Sequence, residues 1–398
     1  MTTAELERTE LTDASLGESL RFVMTGLLPS LARGLFSPRP RAMKLLTRFD
    51  TDQRAIDTLA AIRDKHGGDG VRLLRGKITV LWGENAIREV LDNSATDYAS
   101  DAGAKKKGME HFQPDALTLS RGDDWRDRRE FNEYVLATSE ERHPQAARIL
   151  DVVNDEVQRM RIGPELRWVD WEKLFTHITL RVIFGTSART DYELVDLLEK
   201  LMGEANRIVG LKTSDDYYEF YGRIDKYLAK PDPYSLIARV AEAPQSERTR
   251  IAQQIPHWIF AMRDTLGANA YRALALAVSG HTDIPGVLRE AMRLWPTTPL
   301  IAREKVDDGT QVMILNVFNH RDPREADYNE VRPEREPSYR FNHLSNGTQD
   351  CPGGPLVMLI GTAVIERVIA DYTLRYEGPP LDPPPTMLDF FQLRFTVE

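Results

Sequence analysis

The spacing of hydrophobic and polar positions changes several times along the chain, and the changes mark its elements. From Asp50 to Lys65 apolar residues recur at helical spacing. From Val71 to Trp82 the pattern becomes a strand, a turn at Gly76-Lys77 and a second strand, which predicts a small sheet. Helical spacing resumes at Asn85 and continues, with loops, to about Ala275. Within it, Ile255 to Ser279 is apolar on nearly all sides, as expected of a buried central helix. Asp283 to Pro296 predicts a shorter helix begun near Pro285 and ended by Pro296, and the apolar run from Pro355 to Ala370 another buried one. A long helical body with short strands at both ends predicts a mainly α fold with small β-sheets.

One stretch needs a decision between anchor and ordinary helix: Ser19 to Phe36, SLRFVMTGLLPSLARGLF. Arg21, Pro29 and Arg33 interrupt it, so no apolar segment reaches the roughly 20 residues that span a bilayer. The polar start of the chain and the missing small-residue cleavage site do not fit a signal peptide. A cytoplasmic protein without a membrane span is expected, with a surface-lying amphipathic segment over Phe22 to Leu35 as the alternative.

No linker, repeat or long single-sign charge block divides the 398 residues. The expected organisation is a flexible segment over residues 1–20 and one domain over 21–398. A net charge of −9 weighs against nucleic acid as the main partner, because phosphate binding needs a basic footprint. A single cysteine suits a reducing compartment.

That cysteine, Cys351, cannot form an internal disulfide, so it is an inert core thiol, a nucleophile or a ligand. Its surroundings favour a ligand. Pro352, Gly353 and Gly354 signal a turn, and the helix that follows would place Cys351 at a helix N-terminus, where the dipole favours a thiolate. Gly347, four residues earlier, lets bare backbone approach a flat ligand.

Three other groups carry chemistry. Asp264 and Thr265 are costly in a buried helix and need partners; an adjacent acid and alcohol can hydrogen-bond an oxygen ligand and pass protons to it. The alternative is a Thr265 bonded back to its own helix and an Asp264 paired with Arg263. Glu290 and Arg293 are one turn apart and can pair, although E-x-x-R occurs six times in the chain and proves nothing alone. Trp125 and Arg129 share a helix face and could hold a carboxylate together; alone, the pattern reads first as a half-buried tryptophan beside an exposed Arg-rich side. Arg126 and Arg128 would lie on other faces, as solvated arginines or a docking point for an acidic electron donor.

In this order, the segments resemble the cytochromes P450. Leu344 to Gly353 is similar to the haem-binding loop F-x-x-G-x-[RH]-x-C-x-G, matching at Gly347, Cys351 and Gly353. Leu344 replaces the phenylalanine, and Gln349 the basic residue that meets a haem propionate. Ala261-Met262-Arg263-Asp264-Thr265 resembles [AG]-G-x-[DE]-T, with a methionine that would fill space beside the haem. Glu290 and Arg293, with Arg335 of Arg332-Pro333-Glu334-Arg335, resemble the family's buried structural triad. Trp125 and Arg129 look like the helix that holds a propionate, Arg303 like the propionate-binding arginine, and Asn319 to Pro323 like a segment of many bacterial members.

The resemblance implies the cytochrome P450 fold and haem b with Cys351 as axial ligand to the iron. It implies proton delivery through Asp264 and Thr265, and a substrate pocket drawing on Phe260, Ala261, Gly267, Leu300, Ile301 and Phe391. The expected activity is monooxygenation of a small, largely apolar molecule in secondary metabolism. Electrons would come from a separate ferredoxin or flavodoxin, and the chain would act as a monomer. The alternatives are a hydrogen-peroxide-dependent peroxygenase, suggested by Arg263 and Gln349, a non-redox haem-thiolate isomerase or dehydratase, and a haem-binding sensor or haem-free helical protein.

Overall fold

The computed structural model describes residues 11–208 and 210–398, which are mainly helical with two small sheets. The larger sheet contains β1 (Thr12–Asp13), β2 (Gly70–Leu73), β3 (Ile78–Leu81), β4 (Tyr98–Ala99), β6 (Leu300–Lys305) and β7 (Gln311–Leu315). Their order across the sheet is β1-β2-β3-β7-β6-β4. The smaller one joins β5 (Glu165–Arg167), β8 (Leu374–Glu377) and β9 (Arg394–Val397) in the order β5-β9-β8.

The predicted hairpin forms β2 and β3, with Val71 opposite Val80. β3 then runs parallel to β7, Val80 facing Met313, and β7 antiparallel to β6, Val312 facing Arg303. Strands distant in sequence therefore share one sheet, and this fixes Arg303 relative to the N-terminal region. Alternation along β6 sends Ile301 and Arg303 to one face and Leu300 to the other. Ile301 packs with Ile87, Val90 and Leu91, whereas Leu300 packs against the cluster of Phe22, Ile56 and Leu59.

At the N-terminus, residues 1–10 of the expected flexible segment lie outside the described residues. Its remainder is in regular structure: Thr12 and Asp13 pair with β2, and Ser15 and Glu18 exchange a capping box at the start of the helix Leu16–Phe22. The helical path continues through a π turn, Val23–Leu27, to Leu28–Arg33. Phe22 is buried on its inner side, and a Cβ added at Gly26 would meet Leu315. Among the described residues, no helix is long and apolar enough to cross a membrane.

The predicted central helix runs as Ile255–Phe260, a π-helical segment Ala261–Leu266 and Gly267–Val278. Three helices pack around it: Trp168–Phe184, Ile284–Leu294 and Gly354–Asp371. Trp171 Nε1 donates to the Gly267 carbonyl at 2.9 Å, closing the polar account of a buried indole. At Gly361 an added Cβ would lie 2.6 Å from Leu288 and 2.9 Å from Leu266. A side chain there would have to displace the tips of both leucines, so Gly361 lets the helix after Cys351 seat closely on the π segment.

Candidate functional site

The loop preceding Gly354–Asp371 is folded by its own backbone. The Cys351 N–H donates to the Leu344 carbonyl at 2.8 Å. Gly347 has φ +72°, and a Cβ there would come 2.4 Å from the Leu91 carbonyl, so both its conformation and its neighbours demand glycine. Leu344 packs against the main core. Cys351 precedes the helix as expected, but the expected depressed thiol is not found. Burial pushes its pKa up, Asp350 adds to this, and the Gly353 N–H and Arg129 oppose it without prevailing. The site alone favours a thiol; a bound cation at the sulfur is needed to make the thiolate.

On the central helix, His257, Phe260, Ala261, Asp264 and Thr265 all keep accessible surface, while Ile259, Met262, Arg263, Leu266 and Ala268 are buried. These spacings put the accessible residues on one stripe. The space they face is poorly solvated. Asp264 keeps 25% of its side-chain surface, yet desolvation raises its carboxyl to about 6, and burial lowers His257 to about 4. A surface that a small probe reaches but that stays desolvated fits the wall of a cavity. The π segment falls at Asp264 and Thr265, a local widening of the helix of the kind frequent at functional sites. Met262 points into the core instead of into this space.

Arg263 leaves the cavity in the other direction. It is 5% exposed and binds Asp264 at 3.0 Å, Glu172 at 3.4 Å, the Thr176 hydroxyl at 3.0 Å and Glu199. The expected alternative, an Asp264 paired with Arg263, is therefore present, and it coexists with accessible surface on Asp264.

A second wall is cationic. Arg303 is buried, with Nε on the Ser94 hydroxyl at 2.9 Å and Nη1 on the Ala302 carbonyl at 3.0 Å. Among the described residues it has no carboxylate partner, and burial lowers its pKa to about 10. Lys105 is lowered to about 7 by burial and by Arg303, and its ammonium rests on the Ser100 and Thr118 carbonyls. Lys105 in turn depresses His257, so these groups adjoin the central stripe. Gln349 Nε2 donates to the Ser94 carbonyl at 3.0 Å. Ser94 thus joins Arg303 to the cysteine loop.

Sequence reasoning missed Lys105, His257 and Ser94. Lys105 belongs to the run Lys105-Lys106-Lys107, which reads as a solvated face, and only burial separates the first from its neighbours.

The residues fit a flat, anionic, iron-bearing group. The donor set is one sulfur, as a haem thiolate requires, and Gly347 and Gly353 keep the loop around it slim. Two desolvated basic side chains, Arg303 and Lys105, the latter with Asp101 near it, could neutralise an acidic edge. Arg129 fits this less directly than expected. Its guanidinium is taken by Glu133, by the Asp350 carbonyl at 2.7 Å and by the Asp350 carboxylate, so it braces the residue before Cys351. Trp125, partly buried, stands one turn earlier. Arg126 is exposed and pairs with Asp123, but Arg128 is buried against Ser120, Asp115 and the Arg248 carbonyl, which removes it as a docking residue.

The three side chains of the expected triad meet. Arg293 binds Glu290 at 2.6 and 2.8 Å and donates to the carbonyls of His320, Tyr328 and Glu330. Arg335 Nε lies 3.3 Å from Glu290. Of the expected pocket residues, Phe260 and Ala261 are on the stripe and Ile301 shares a strand face with Arg303. Gly267 faces Phe175 in the core, and Leu300 lies on the opposite sheet face. Phe391 belongs to an aromatic cluster with Phe390 and Trp168, beside Tyr271. These last three are set by packing that the linear pattern does not reveal.

No family model matches the chain, and no curated protein matches it.

Proposed function

We propose that this chain is a haem-thiolate monooxygenase of the cytochrome P450 type, acting on a small, largely apolar molecule with electrons from a separate ferredoxin or flavodoxin. The observation that carries the reading is the poorly solvated stripe bearing Asp264 and Thr265, together with a desolvated Cys351 just before a helix packed against the same π segment.

Haem, when bound through Cys351, would supply dioxygen activation, with the thiolate donating electron density to the iron. The chain's residues supply the rest. Asp264, titrating at about 6, can hold a proton near neutral pH and release it toward the cavity. Thr265, its neighbour on the stripe, can orient an oxygen atom. Phe260, Ala261 and Ile301 exclude water and favour an apolar substrate. Arg303 and Lys105 balance negative charge at the cavity edge.

The peroxygenase alternative places a cation within the cavity, and the direction of Arg263, into Glu172 and Glu199, speaks against it. The deciding experiment is the carbon-monoxide difference spectrum of the reduced protein purified after haem supplementation. A band near about 450 nm is expected for thiolate-ligated ferrous haem. A haem band displaced from there in the folded protein would reject Cys351 as ligand, and absence of haem would reject the whole reading. Product formation with a ferredoxin system and dioxygen, but not with peroxide alone, separates monooxygenase from peroxygenase.

A further inference from the structure

The N-terminal helical path over residues 16–33 is amphipathic in an unusual sense. Its inner side is the one buried, at Ser19, Phe22 and Gly26. Its outer side is apolar too: Leu16, Leu20, Met24, Leu28, Leu31 and Leu35 are all exposed, from 64% at Leu16 to 38% at Leu35. Steps of three and four residues keep Leu16 to Leu31 in one row, with Leu35 just past the helix end at Gly34, and the path is about 27 Å long at 1.5 Å per residue. Arg39 Nη1 donates to the Leu31 and Ala32 carbonyls, tying the next helix, Pro40–Arg48, to the end of the row. That helix adds exposed Leu45, and Phe49 follows it with 51% exposure. Single exposed leucines need no explanation, but a continuous row is a surface shaped for contact.

Charge identifies the occupant. Residues 19–49 contain six Arg and Lys and no Asp or Glu, in a chain whose net charge is −9. Arg33 is paired with Asp52, but Arg21, Arg41, Lys44 and Arg48 are exposed and form no ion pair with any described residue. A row of aliphatic side chains rimmed by unpaired cations matches the boundary between acyl chains and anionic headgroups. A second copy docked about a two-fold axis would set these cations against themselves. An acidic protein would satisfy the cations but leave the aliphatic row uncovered unless it matched that as well.

We propose that this face docks the protein peripherally on anionic lipid membranes, the leucine row entering the interface and the cations meeting the headgroups. Nothing in the proposal depends on haem or on the reaction. It makes a lipid-dissolved substrate available without a membrane span.

The test is flotation of the full chain with vesicles of phosphatidylcholine alone and of phosphatidylcholine mixed with phosphatidylglycerol. The expected result is binding to the mixed vesicles, little to the neutral ones, and weakening by salt. The combined Leu20→Gln, Met24→Gln and Leu28→Gln substitution is on exposed positions and should leave the melting temperature unchanged while lowering binding by about tenfold or more. Arg41→Gln with Lys44→Gln should lower it only for the mixed vesicles. Failure of the wild-type chain to float with the mixed vesicles, or equal flotation of the triple variant, overturns the proposal. So does a wild-type dimer that the triple variant dissociates in the absence of any vesicle binding, which would assign the row to a second copy.

Discussion

Arg263 Nη1 lies 3.0 Å from Asp264 Oδ1, so two consecutive residues of a π-helical turn are bound to each other while facing different neighbours. The same guanidinium also serves Glu172 and Glu199. One cation shared by three carboxylates cannot offset the desolvation of Asp264 fully. Burial is the largest cause of its shift, and the carboxyl rises to about 6.

The sign of the resulting pH dependence is fixed. The folded state holds a proton on Asp264 that the unfolded chain has lost above its ordinary value of 3.8. The stability this group contributes is complete below that value and falls as pH rises through about 6. Asp264→Asn should remove this decline, seen as a smaller loss of denaturation midpoint across the window, and should lower turnover by about a hundredfold. Arg263→Gln takes away a cation that lowers Asp264, so the midpoint of the activity profile should move upward. A profile that stays in place would mean that another group delivers the proton.

On the proposed reading, substitution of Arg303 separates haem binding from folding. It is desolvated and has two hydrogen bonds but no carboxylate, so the haem-free fold gains little from its charge. Arg303→Met keeps the volume and removes the cation. The haem-free variant should melt within about 1 kcal/mol of the parent, or above it, whereas haem should bind about tenfold or more weakly for want of a partner to its acidic edge. Haem titration of the two proteins measures the difference, and equal affinity would sink the assigned role.

Much of this fold was legible because periodicity is local. The Val71–Trp82 hairpin, the central helix and the helix after Cys351 appear within a residue or two of their expected places. The Glu290, Arg293 and Arg335 contacts were legible for a different reason, since the segment order pointed to one E-x-x-R among six. What escaped depends on neighbours distant in sequence. Gly267 looked like a cavity position until Phe175 filled its side, and the Arg129 guanidinium was taken by Asp350. Lys105 could not be told from Lys106 and Lys107 without knowing which of them is enclosed. The Cys351 thiol was expected low from a helix dipole that desolvation outweighs.

Glu290 accepts hydrogen bonds from Arg293, bidentate, and from the Arg332 N–H at 2.8 Å, and forms an ion pair with Arg335 at 3.3 Å. Replacing it by glutamine keeps the shape but leaves Arg293, 2% exposed, without its carboxylate, while Arg335 keeps Asp327. Removing one member of a buried charged set costs about 3–5 kcal/mol, a large part of the stability of an ordinary domain. Glu290→Gln should therefore lower the urea midpoint of the haem-free protein sharply. Glu247→Gln, in another E-x-x-R on an exposed stretch, should change it by less than about 0.5 kcal/mol. Similar midpoints for both variants would show that the burial of Glu290 does not govern stability.

Gly347 offers the most local test of the loop. At φ +72° a side chain is strained wherever it sits, and here a Cβ would also press within 2.4 Å of the Leu91 carbonyl and 2.7 Å of the Asp92 nitrogen. Backbone cannot yield as a flexible side-chain tip can, so the loop or the end of the Glu84–Asp92 helix must move. That end carries Ser94, which Gln349 and Arg303 both grip. Gly347→Ala should therefore cost about 1–3 kcal/mol of stability and also disturb haem uptake, because the displacement passes through Ser94 to Arg303. Gly163→Ala is the control: it has open space around it and a φ outside the left-handed region, and should leave both properties unchanged. Loss of stability in Gly347→Ala with normal haem uptake would mean that the loop can shift without carrying Ser94 with it.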